Sequence, residues 1–423
     1  MAHHHHHHSS AADRAAKTPE ELYQKKTPIE HVLLRPDTYL GSVLRTTEPG
    51  MWVYDPDSRR MVERECTYVP ALYKIFDEIL VNAADNKQRD PNTSTIEVNI
   101  DADTNTISVF NDGRGIPVHV HKTEGMYLPE MLFGHLLTSS NYDDSEAKVT
   151  GGRNGYGAKL TNIYSKEFTV ETVDCERGLR FQQTWRDNMS VREEPLITPL
   201  SPEEKAHGDY TKITFRPDLS RLDSMHSLRD GDIIGVMSRR AFDVAACNEG
   251  LDVYLNGEKL PSGFKGYVQL YHNPDVVEDA FVFEQVNDRW QIVVGPSLDG
   301  QFTQQSFVNS IHTRRGGTHV TYILDQLTKH IVASIRRDHP DLTKIVQPAL
   351  VRNHLSLFIN ALIENPSFDS QTKETLTTQP SRFGSKCKLS DEFLERVVQR
   401  TRIVEEVTRW AELKQKDALN RAS

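Results

Sequence analysis

The pattern of apolar and polar side chains predicts a long helix that begins close to residue 70. Apolar side chains recur there at intervals of three or four residues: Leu72, Phe76, Ile79 and Ala83. That spacing places them on one side of a helix. Pro70 stands just before them, and proline suits the first helical position because its missing N–H has no intrahelical partner there. We therefore expect a helix that buries this side against a core.

A neighbouring face of the same predicted helix carries Glu78, Asn82 and Asp85. At about 100° per residue, the three side chains lie within roughly 60° of one another. A glutamate can act as a general base, and an asparagine oxygen can bind a hard cation such as Mg²⁺. Most helix faces of this composition are only solvated, so the meaning of this one depends on the segments that follow.

Several other segments of the first half show the alternation of half-buried strands. Strands are predicted at residues 95–101, 106–110, 168–173, 179–185, 210–215 and 251–255. Helices are predicted to begin after Thr18 and Thr27, each of which precedes a proline, and to cover residues 131–137 and 233–246. Asn256-Gly257 is the residue pair of a tight hairpin turn, and we place a domain boundary there.

The second half alternates strands with a long helix. Strands at residues 290–294, 305–313 and 350–362, with a helix at 320–337 before the last, predict a β-α-β unit. Ser390 is a capping residue ahead of one long helix, whose apolar stripe runs from Phe393 to Val407. We therefore expect a second α/β domain.

Two glycine-containing segments are candidates for binding a ligand through the backbone. Residues 111–117 leave a predicted strand and contain two glycines, although a plain tight turn is the alternative. Residues 151–157 contain four glycines ahead of a predicted helix with Lys159, which suits a phosphate cradle, although a flexible loop is the alternative. The Walker and dinucleotide patterns do not match, because Leu160 follows the lysine and no strand precedes the glycines.

Composition narrows the classes of protein. Residues 1–16 are an affinity tag with a spacer, and six of the 18 histidines belong to it, so histidine content supports no metal site. The four cysteines are far apart and form no CxxC pair, which disfavours zinc and a disulfide framework. No apolar run approaches the roughly 20 residues of a membrane helix. The net charge of −10 disfavours a general nucleic-acid coat but leaves room for a local basic patch.

Taken together, these motifs resemble the N-terminal ATPase region of eukaryotic type IIA DNA topoisomerases. Residues 78–90 are similar to the first ATP-binding box of that family, and residues 111–117 to its second. Ser139-Ser140-Asn141 and residues 152–159 resemble its phosphate-binding loops, and Gln371-Thr372-Lys373 resembles its transducer loop. The resemblance extends from about residue 23 to about residue 389. Gyrase, heat-shock chaperone ATPases, histidine kinases and MutL proteins belong to the same wider superfamily, called GHKL.

The resemblance implies an α/β (α+β) fold with two domains. Residues 17–257 would form a GHKL-type α/β sandwich, with the nucleotide held between a mixed sheet and loops. Residues 258–410 would form a transducer domain with a ribosomal-protein-like βαβ fold, and residues 411–423 the end of a C-terminal helix.

The resemblance also implies residue roles, with ATP and Mg²⁺ as cofactors. Glu78 would be the general base that deprotonates the attacking water, and Asn82 would hold Mg²⁺. Gln371 and Lys373 would reach the γ-phosphate from the second domain, although an ordinary surface lysine is the alternative for Lys373. The implied ATP-binding set is Asn82, Asp85, Asn86, Asn111, Ser139, Ser140, Asn141, Gly152, Arg153, Asn154, Gly155, Tyr156, Gly157, Ala158, Lys159, Gln371, Thr372 and Lys373. The wider superfamily has aspartate at the position of Asn111, whose amide oxygen can accept the same hydrogen bond from adenine without a charge.

The implied partners are a second copy of the chain and double-stranded DNA, and no membrane. Dimer closure would involve the ATPase domain and an N-terminal arm, for which Tyr23 and residues 32–40 are candidates. A basic lining that faces DNA would include Arg314, Arg315, Arg336 and Arg337, with ordinary surface charge as the alternative. The implied location is the nucleus, with an organelle as the alternative. No segment resembles the DNA-cleavage region, so we expect ATP hydrolysis and clamping without DNA cleavage.

Three classes of function are open at this stage. The first is an ATP-operated gate that couples to passage of one DNA duplex through another. The second is a MutL-type or chaperone-type clamp, which Gln371-Thr372-Lys373 disfavours. The third is a module that holds nucleotide as a structural ligand. Glu78 disfavours the third class, because nucleotide binding alone needs no base.

Overall fold

A computed structural model describes residues 27–136, 156–272, 278–297 and 299–422. In these ranges the chain forms two large sheets, each packed against helices, and a separate two-stranded hairpin. The α/β class and the mixed sheet that the sequence predicts are confirmed. The candidates Thr18, Tyr23, Ser139, Ser140, Asn141 and residues 152–155 lie outside the described residues.

The first half contributes the larger sheet and the helices around it. Its helices are α1 (Pro28–Leu34), α2 (Pro36–Leu40), α3 (Pro70–Arg89), α4 (Leu128–Gly134), α5 (Gly157–Ile163), α6 (Pro202–His207) and α7 (Ile233–Cys247). Its strands are β1 (Thr46–Asp55), β2 (Arg60–Tyr68), β3 (Thr95–Asp101), β4 (Thr106–Asp112), β5 (Ser165–Asp174), β6 (Leu179–Arg186), β7 (Val191–Arg192), β8 (Leu196–Pro199), β9 (Tyr210–Pro217), β10 (Asp252–Leu255) and β11 (Glu258–Lys259).

Among the described residues, nine strands form the larger sheet, in the order β11-β10-β3-β4-β9-β5-β6-β7 with β8 paired to β6. The β10–β3 pair is parallel and the other pairs are antiparallel. Along β3 and β4 every second residue is buried, as the alternation predicts. The β10–β11 turn places Asn256 and Gly257 at φ 48° and 83°, the left-handed conformation that a two-residue hairpin requires.

The second half forms the smaller sheet. Its elements are α8 (Phe264–Gln269), β12 (Val282–Asn287), β13 (Trp290–Pro296), β14 (Thr303–Val308), β15 (Ile311–His312), α9 (Thr318–Asp338), α10 (Pro348–Arg352), β16 (Leu355–Ala361), α11 (Asp391–Thr401) and α12 (Ile403–Ala422). Described strands of this sheet follow the order β12-β13-β16-β14-β15. Strands β14 and β16 are parallel and α9 lies between them in sequence, so the predicted β-α-β unit is confirmed.

Four predicted elements of regular structure differ from the observed ones. The helix predicted at residues 131–137 begins three residues earlier, with Pro129 in its first turn. The strand predicted at 305–313 is a hairpin, because Asn309 and Ser310 adopt left-handed conformations (φ 51° and 67°). The strand predicted at 350–362 begins only at Leu355, after a helix that starts with Pro348. The long helix after Ser390 breaks where Arg402 has φ 56°.

The N-terminal described segment packs against its own domain. Thr27 caps α1 as predicted, and its hydroxyl accepts from the Glu30 amide. Val32 and Leu40 are 1% and 0% exposed within the first core cluster. Residues 32–40 were expected in an arm that reaches a partner subunit. The structure buries Val32 and Leu40 in the same chain but leaves Leu34 53% exposed, so the contact with a partner subunit stays a prediction.

The two halves meet through an apolar contact and a hairpin. The ring centroid of Trp52 on β1, in the first half, lies 5.1 Å from that of Tyr271, which follows α8 in the second half. The sequence analysis did not predict the hairpin β1–β2, in which the paired residues run from Thr46 opposite Tyr68 to Asp55 opposite Arg60.

Among the helices that the structure describes, none has the length and apolar composition to cross a membrane.

Candidate functional site

Glu78 of α3 forms a buried ion pair with Lys74. Its carboxylate Oε1 is 2.8 Å from the Nζ of Lys74, one helical turn earlier, and both side chains are less than a tenth exposed. Burial raises the pKa of Glu78, but Lys74 and Lys373 outweigh burial and hold this pKa below its usual value. The carboxylate is therefore ionised at neutral pH, which is the state that a general base requires.

Helix α5 begins directly against this carboxylate. A Cβ on Gly157, the first residue of α5, would stand 1.8 Å from the Glu78 Oε2. Glycine fits at this position because any side chain would overlap the carboxylate as it now lies. The glycine-rich segment that the sequence predicts as a phosphate cradle enters α5 at this residue, so the end of that segment lies beside Glu78.

The rest of the predicted polar face is on the same helix. Asn82 and Asp85 are half-buried residues one and two turns after Glu78. Mg²⁺ usually takes one or two protein oxygens and completes its shell with water and phosphate. A single amide oxygen from Asn82, beside the predicted phosphate segment, fits that requirement, whereas the Glu78 carboxylate is already paired with Lys74.

The loop predicted to sense phosphate brings a second cation to α3. Burial lowers the pKa of the half-buried Lys373, while the carboxylates of Glu78, Asp77 and Asp85 act in the opposite direction. The structure therefore brings Lys373 near the acidic face of α3, and its contact with a γ-phosphate stays a prediction. Lys373 has φ 60°, a left-handed conformation that is uncommon for a residue with a side chain. Gln371 and Thr372, also half-buried, precede it in the same loop.

Several contacts anchor this loop to the first half. The Thr372 methyl group would lie 3.1 Å from a Cβ on Gly41, which follows α2. The Glu374 carboxylate pairs with Arg315 at 2.7 Å and with Arg314 at 3.6 Å. Arg314 also lies 3.3 Å from Glu48 on β1. Two carboxylates from different halves thus share one guanidinium, which fixes the loop that carries Lys373.

The strand exit after β4 is held by side-chain hydrogen bonds. Asn111 is 5% exposed at the end of β4, and its amide donates to the Asp112 carbonyl at 2.9 Å. The Asn86 amide donates to the Thr93 hydroxyl at 3.1 Å and to the same carbonyl at 3.3 Å. Asn86 was predicted to bind ATP. Both its amide hydrogens bond to protein, so it braces the strand exit on which Asn111 lies.

The two glycines of this segment meet protein atoms. Gly113 has φ 83°, and a Cβ there would stand 2.1 Å from the Thr93 hydroxyl. A Cβ on Gly115 would stand 2.2 Å from the Val173 carbonyl oxygen. The sequence analysis left two explanations for these glycines, close approach of a ligand and a plain tight turn. The structure shows that packing within the same chain already requires both glycines, and their role in binding a ligand stays a prediction.

The described end of the glycine-rich segment is packed into the domain. The Tyr156 ring stacks on Tyr39 of α2 with the centroids 6.2 Å apart. Ala158 and Lys159 are buried on α5. Burial lowers the pKa of Lys159 to about 8, because removal from water disfavours the charged ammonium.

The four arginines predicted to face DNA lie at the two ends of α9. Arg314 and Arg315 precede α9, whereas Arg336 and Arg337 lie in its last turn, and a helix of 21 residues spans about 30 Å. Arg336 donates to the Val346 carbonyl at 3.0 Å. Arg337 is exposed and lies 3.3 Å from Asp338. The role in DNA binding stays a prediction, and Arg337 is the residue of the four whose charge is best presented to solvent.

A buried network of charges, which the sequence analysis missed, joins α3 to the second half. Arg240 of α7 is fully buried and lies 2.5 Å from the Asp77 carboxylate, and it also donates to the Ser310 carbonyl in the β14–β15 turn. Arg239 donates to Gln305 and His312, each at 3.0 Å. Burial and the nearby arginines lower the pKa of His312 far below its usual value, so its neutral ring accepts this bond.

Lys74 and Gly157 were also missed as neighbours of the base. Lys74 precedes Glu78 by four residues, and that spacing alone indicates a helical ion pair. Asp77 and Arg240 gave no such local signal, because their contact joins different helices. Gly157 was predicted as part of the phosphate cradle, but its contact with Glu78 depends on how α5 packs on α3.

The fold and this site define an ATPase of the class shared by histidine kinases, gyrase and HSP90. A family model described as "Histidine kinase-, DNA gyrase B-, and HSP90-like ATPase" matches residues 67–221, and one described as "DNA gyrase B" matches residues 263–423. A crystal structure of the ATPase and transducer domains of DNA topoisomerase II from Balamuthia mandrillaris is 99% identical, with a TM-score of 0.89. It covers 95% of this chain, and this chain covers all of it.

Two further relatives support the same family. The ATPase region of Saccharomyces cerevisiae topoisomerase II, solved bound to ICRF-187, is 48% identical over 93% of this chain and all of that one, with a TM-score of 0.83. DNA topoisomerase 2 of Arabidopsis thaliana is 52% identical over 96% of this chain and 27% of its own length. The chain belongs to the eukaryotic DNA topoisomerase II family, as its N-terminal ATPase and transducer region. It spans about a quarter of the length of such curated relatives.

Proposed function

We propose that this chain hydrolyses ATP in the presence of Mg²⁺ at the acidic face of α3. The observation that carries the proposal is the buried Glu78 carboxylate, which lies between Lys74 and the first residue of α5. Lys373 reaches the same face from the second half of the chain. A module that only stores nucleotide needs neither an ionised buried carboxylate nor a cation delivered from another domain.

In this proposal the chain aligns water with the terminal phosphate and removes its proton. As the water oxygen bonds to the γ-phosphorus, the bond to the bridging oxygen of ADP breaks, and Glu78 takes the proton released by water. Lys373 stabilises negative charge on the phosphoryl oxygens. Asn111 at the end of β4 would accept from the adenine amino group. Mg²⁺, held in part by Asn82, would neutralise charge across the phosphates.

We further propose that nucleotide binding closes a homodimer that surrounds duplex DNA. Lys373 supports a link between the two processes, because its interaction is stronger with a triphosphate than with a diphosphate, and its loop is fixed by Arg314. A ligand shifts a conformational equilibrium only through such a difference between states. DNA passage by the longer protein, and its location in the nucleus, are extensions of this proposal that rest on the family.

The test combines hydrolysis with the oligomeric state. We expect ATP turnover that stops on chelation of Mg²⁺, a dimer in sedimentation with a non-hydrolysable ATP analogue, and a monomer with ADP. Linear duplex DNA should raise the turnover of the longer protein, whereas a chaperone-type clamp would not respond in this way. Absence of Mg²⁺-dependent turnover in the folded chain would contradict the proposal.

A further inference from the structure

The two oxygens of the Glu78 carboxylate have different surroundings. Oε1 lies 2.8 Å from the Nζ of Lys74. Oε2 faces α5, where a Cβ on Gly157 would stand 1.8 Å away. One oxygen is thus held by a lysine of the same helix, and the other faces the point where the predicted phosphate segment enters α5.

The surroundings restrict the orientation of both side chains. Lys74 and Glu78 have side chains that are 7% and 8% exposed, so solvent screens their attraction only weakly. Their spacing of four residues on α3 aligns the lysine stem with the carboxylate. Gly157 leaves no room for the carboxylate to swing towards α5. A base fixed in this way loses little conformational entropy when it meets the attacking water.

We propose that Lys74 is a positioning residue for the general base: its ammonium holds Oε1, so that Oε2 is the oxygen that accepts the proton from water. This inference rests on the proposed ATP hydrolysis and adds a residue to it. Lys74 neither gains nor loses a proton during this step. The proton moves from water to Oε2 while the water oxygen bonds to the γ-phosphorus and the bond to ADP breaks.

The charged groups around Glu78 set the expected pH dependence. Lys74 acts from α3 and Lys373 from the loop of the second half, while α5 presents the backbone of Gly157. The nearby Asp77 is bonded to Arg240 of α7. Burial raises the pKa of Glu78, and the two lysines lower it by more. Loss of the Lys74 ammonium must therefore raise this pKa, and the acid limb of the rate profile must move to higher pH.

The primary variant is Lys74→Met, which keeps most of the stem and removes the charge. We expect kcat to fall about tenfold or more and KM for ATP to stay within about twofold, because only positioning is lost. We expect the acid limb of kcat to move upwards by about one pH unit. Lys166→Met is the matched control, because Lys166 of β5 also lies beside a buried carboxylate, 3.8 Å from that of Asp218, but outside the described contacts of Glu78. It should leave kcat and the acid limb unchanged.

The decisive measurement repeats Lys74→Met in a Glu78→Gln background. If Lys74 acts through Glu78, the second substitution causes no further loss of kcat, because effects within one unit are not additive. A further tenfold loss, an unchanged acid limb, or a raised KM with unchanged kcat would each overturn the inference. The last result would make Lys74 a nucleotide contact.

Two outcomes need separate treatment. If Lys74→Met does not fold, Lys74→Arg carries the test, because it keeps the charge but changes the reach. It should lower kcat severalfold and leave the acid limb in place, and full activity would contradict the inference. If the parent chain hydrolyses no ATP, or Glu78→Gln remains fully active, the proposed function itself fails. The two failures are therefore distinguishable.

Discussion

The Glu78 carboxylate occupies the space that a side chain at Gly157 would need. A Cβ on Gly157 would stand 1.8 Å from Oε2 and 2.4 Å from Cδ of Glu78, closer than such atoms approach in proteins. The carboxylate cannot easily move away, since Lys74 holds its other oxygen. The start of α5 and the acidic face of α3 are therefore fitted to each other.

Gly157→Ala should displace the carboxylate and slow hydrolysis. We expect turnover to fall about tenfold or more, because a shift of about 1 Å in a reacting group can cost a hundredfold in rate. The measurement is steady-state ATPase activity. Gly266→Ala is the control, since a Cβ on this helical glycine of α8 meets only Pro261 at an ordinary 3.9 Å. Equal activity of both variants would contradict the close fit of Glu78 against α5.

Glu78→Gln should preserve nucleotide binding and lower turnover by about 10²-fold or more, the usual contribution of a general base. The amide has the same shape but accepts no proton. Binding of a fluorescent ATP analogue and single-turnover hydrolysis measure the two effects separately. The parent chain should also lose rate as pH falls through the lowered pKa of Glu78, while the Gln variant loses that limb. Parent-like turnover in the variant would remove Glu78 from the role of base.

Lys373→Ala should keep adenine binding, slow hydrolysis and weaken dimer closure with an ATP analogue. The reason is that one cation both attracts the terminal phosphate and stabilises the charge that develops during transfer. Analytical ultracentrifugation measures closure, and a coupled assay measures turnover. Lys388→Ala, an exposed lysine of the same half, is the control. If the Lys373 variant closes and turns over like the parent, the second half senses phosphate through another contact.

Arg314 and Arg337 should have different effects when replaced by glutamate. Arg314→Glu places a negative charge beside Glu48 and Glu374 and should lower basal ATPase activity by loosening the loop of Lys373. Arg337→Glu should leave basal activity unchanged. It should weaken DNA stimulation of the longer protein and lower its sensitivity to salt. A loss of basal activity in Arg337→Glu would show that this residue supports folding.

Arg240→Met should destabilise the chain strongly. Arg240 is fully buried, and its loss leaves the Asp77 carboxylate without its partner at 2.5 Å. Breaking one partner of a buried pair typically costs about 3–5 kcal/mol in the free energy of unfolding. Urea unfolding measures this cost. Arg59→Met, which breaks an exposed pair with Glu258, is the control and should cost less than about 1 kcal/mol. Equal costs would mean that the buried network adds nothing to stability.

Local features of the sequence determined many elements directly. Pro70 and the apolar stripe predict α3, and alternation predicts both β3 and β4 with their observed first residues. Predictions failed where a turn carried no strong signal. Asn309 and Ser310 split one expected strand into a hairpin, and Arg402 interrupts an expected helix. At both places, the apolar and polar pattern on the two sides of the interruption is the pattern of one continuous strand or helix.

The sequence by itself determined the column of Glu78, Asn82 and Asp85, because helical periodicity fixes side-chain direction within a few residues. The sequence also contains the motifs that carry the resemblance to the family. Only the tertiary structure decided which groups surround that column. The charge of Lys373 lowers the pKa of Glu78, and Arg240 pairs with Asp77, across helices and domains that are distant in sequence. Such contacts, and the burial that gives them their strength, depend on the packing of the whole chain, which no local pattern encodes.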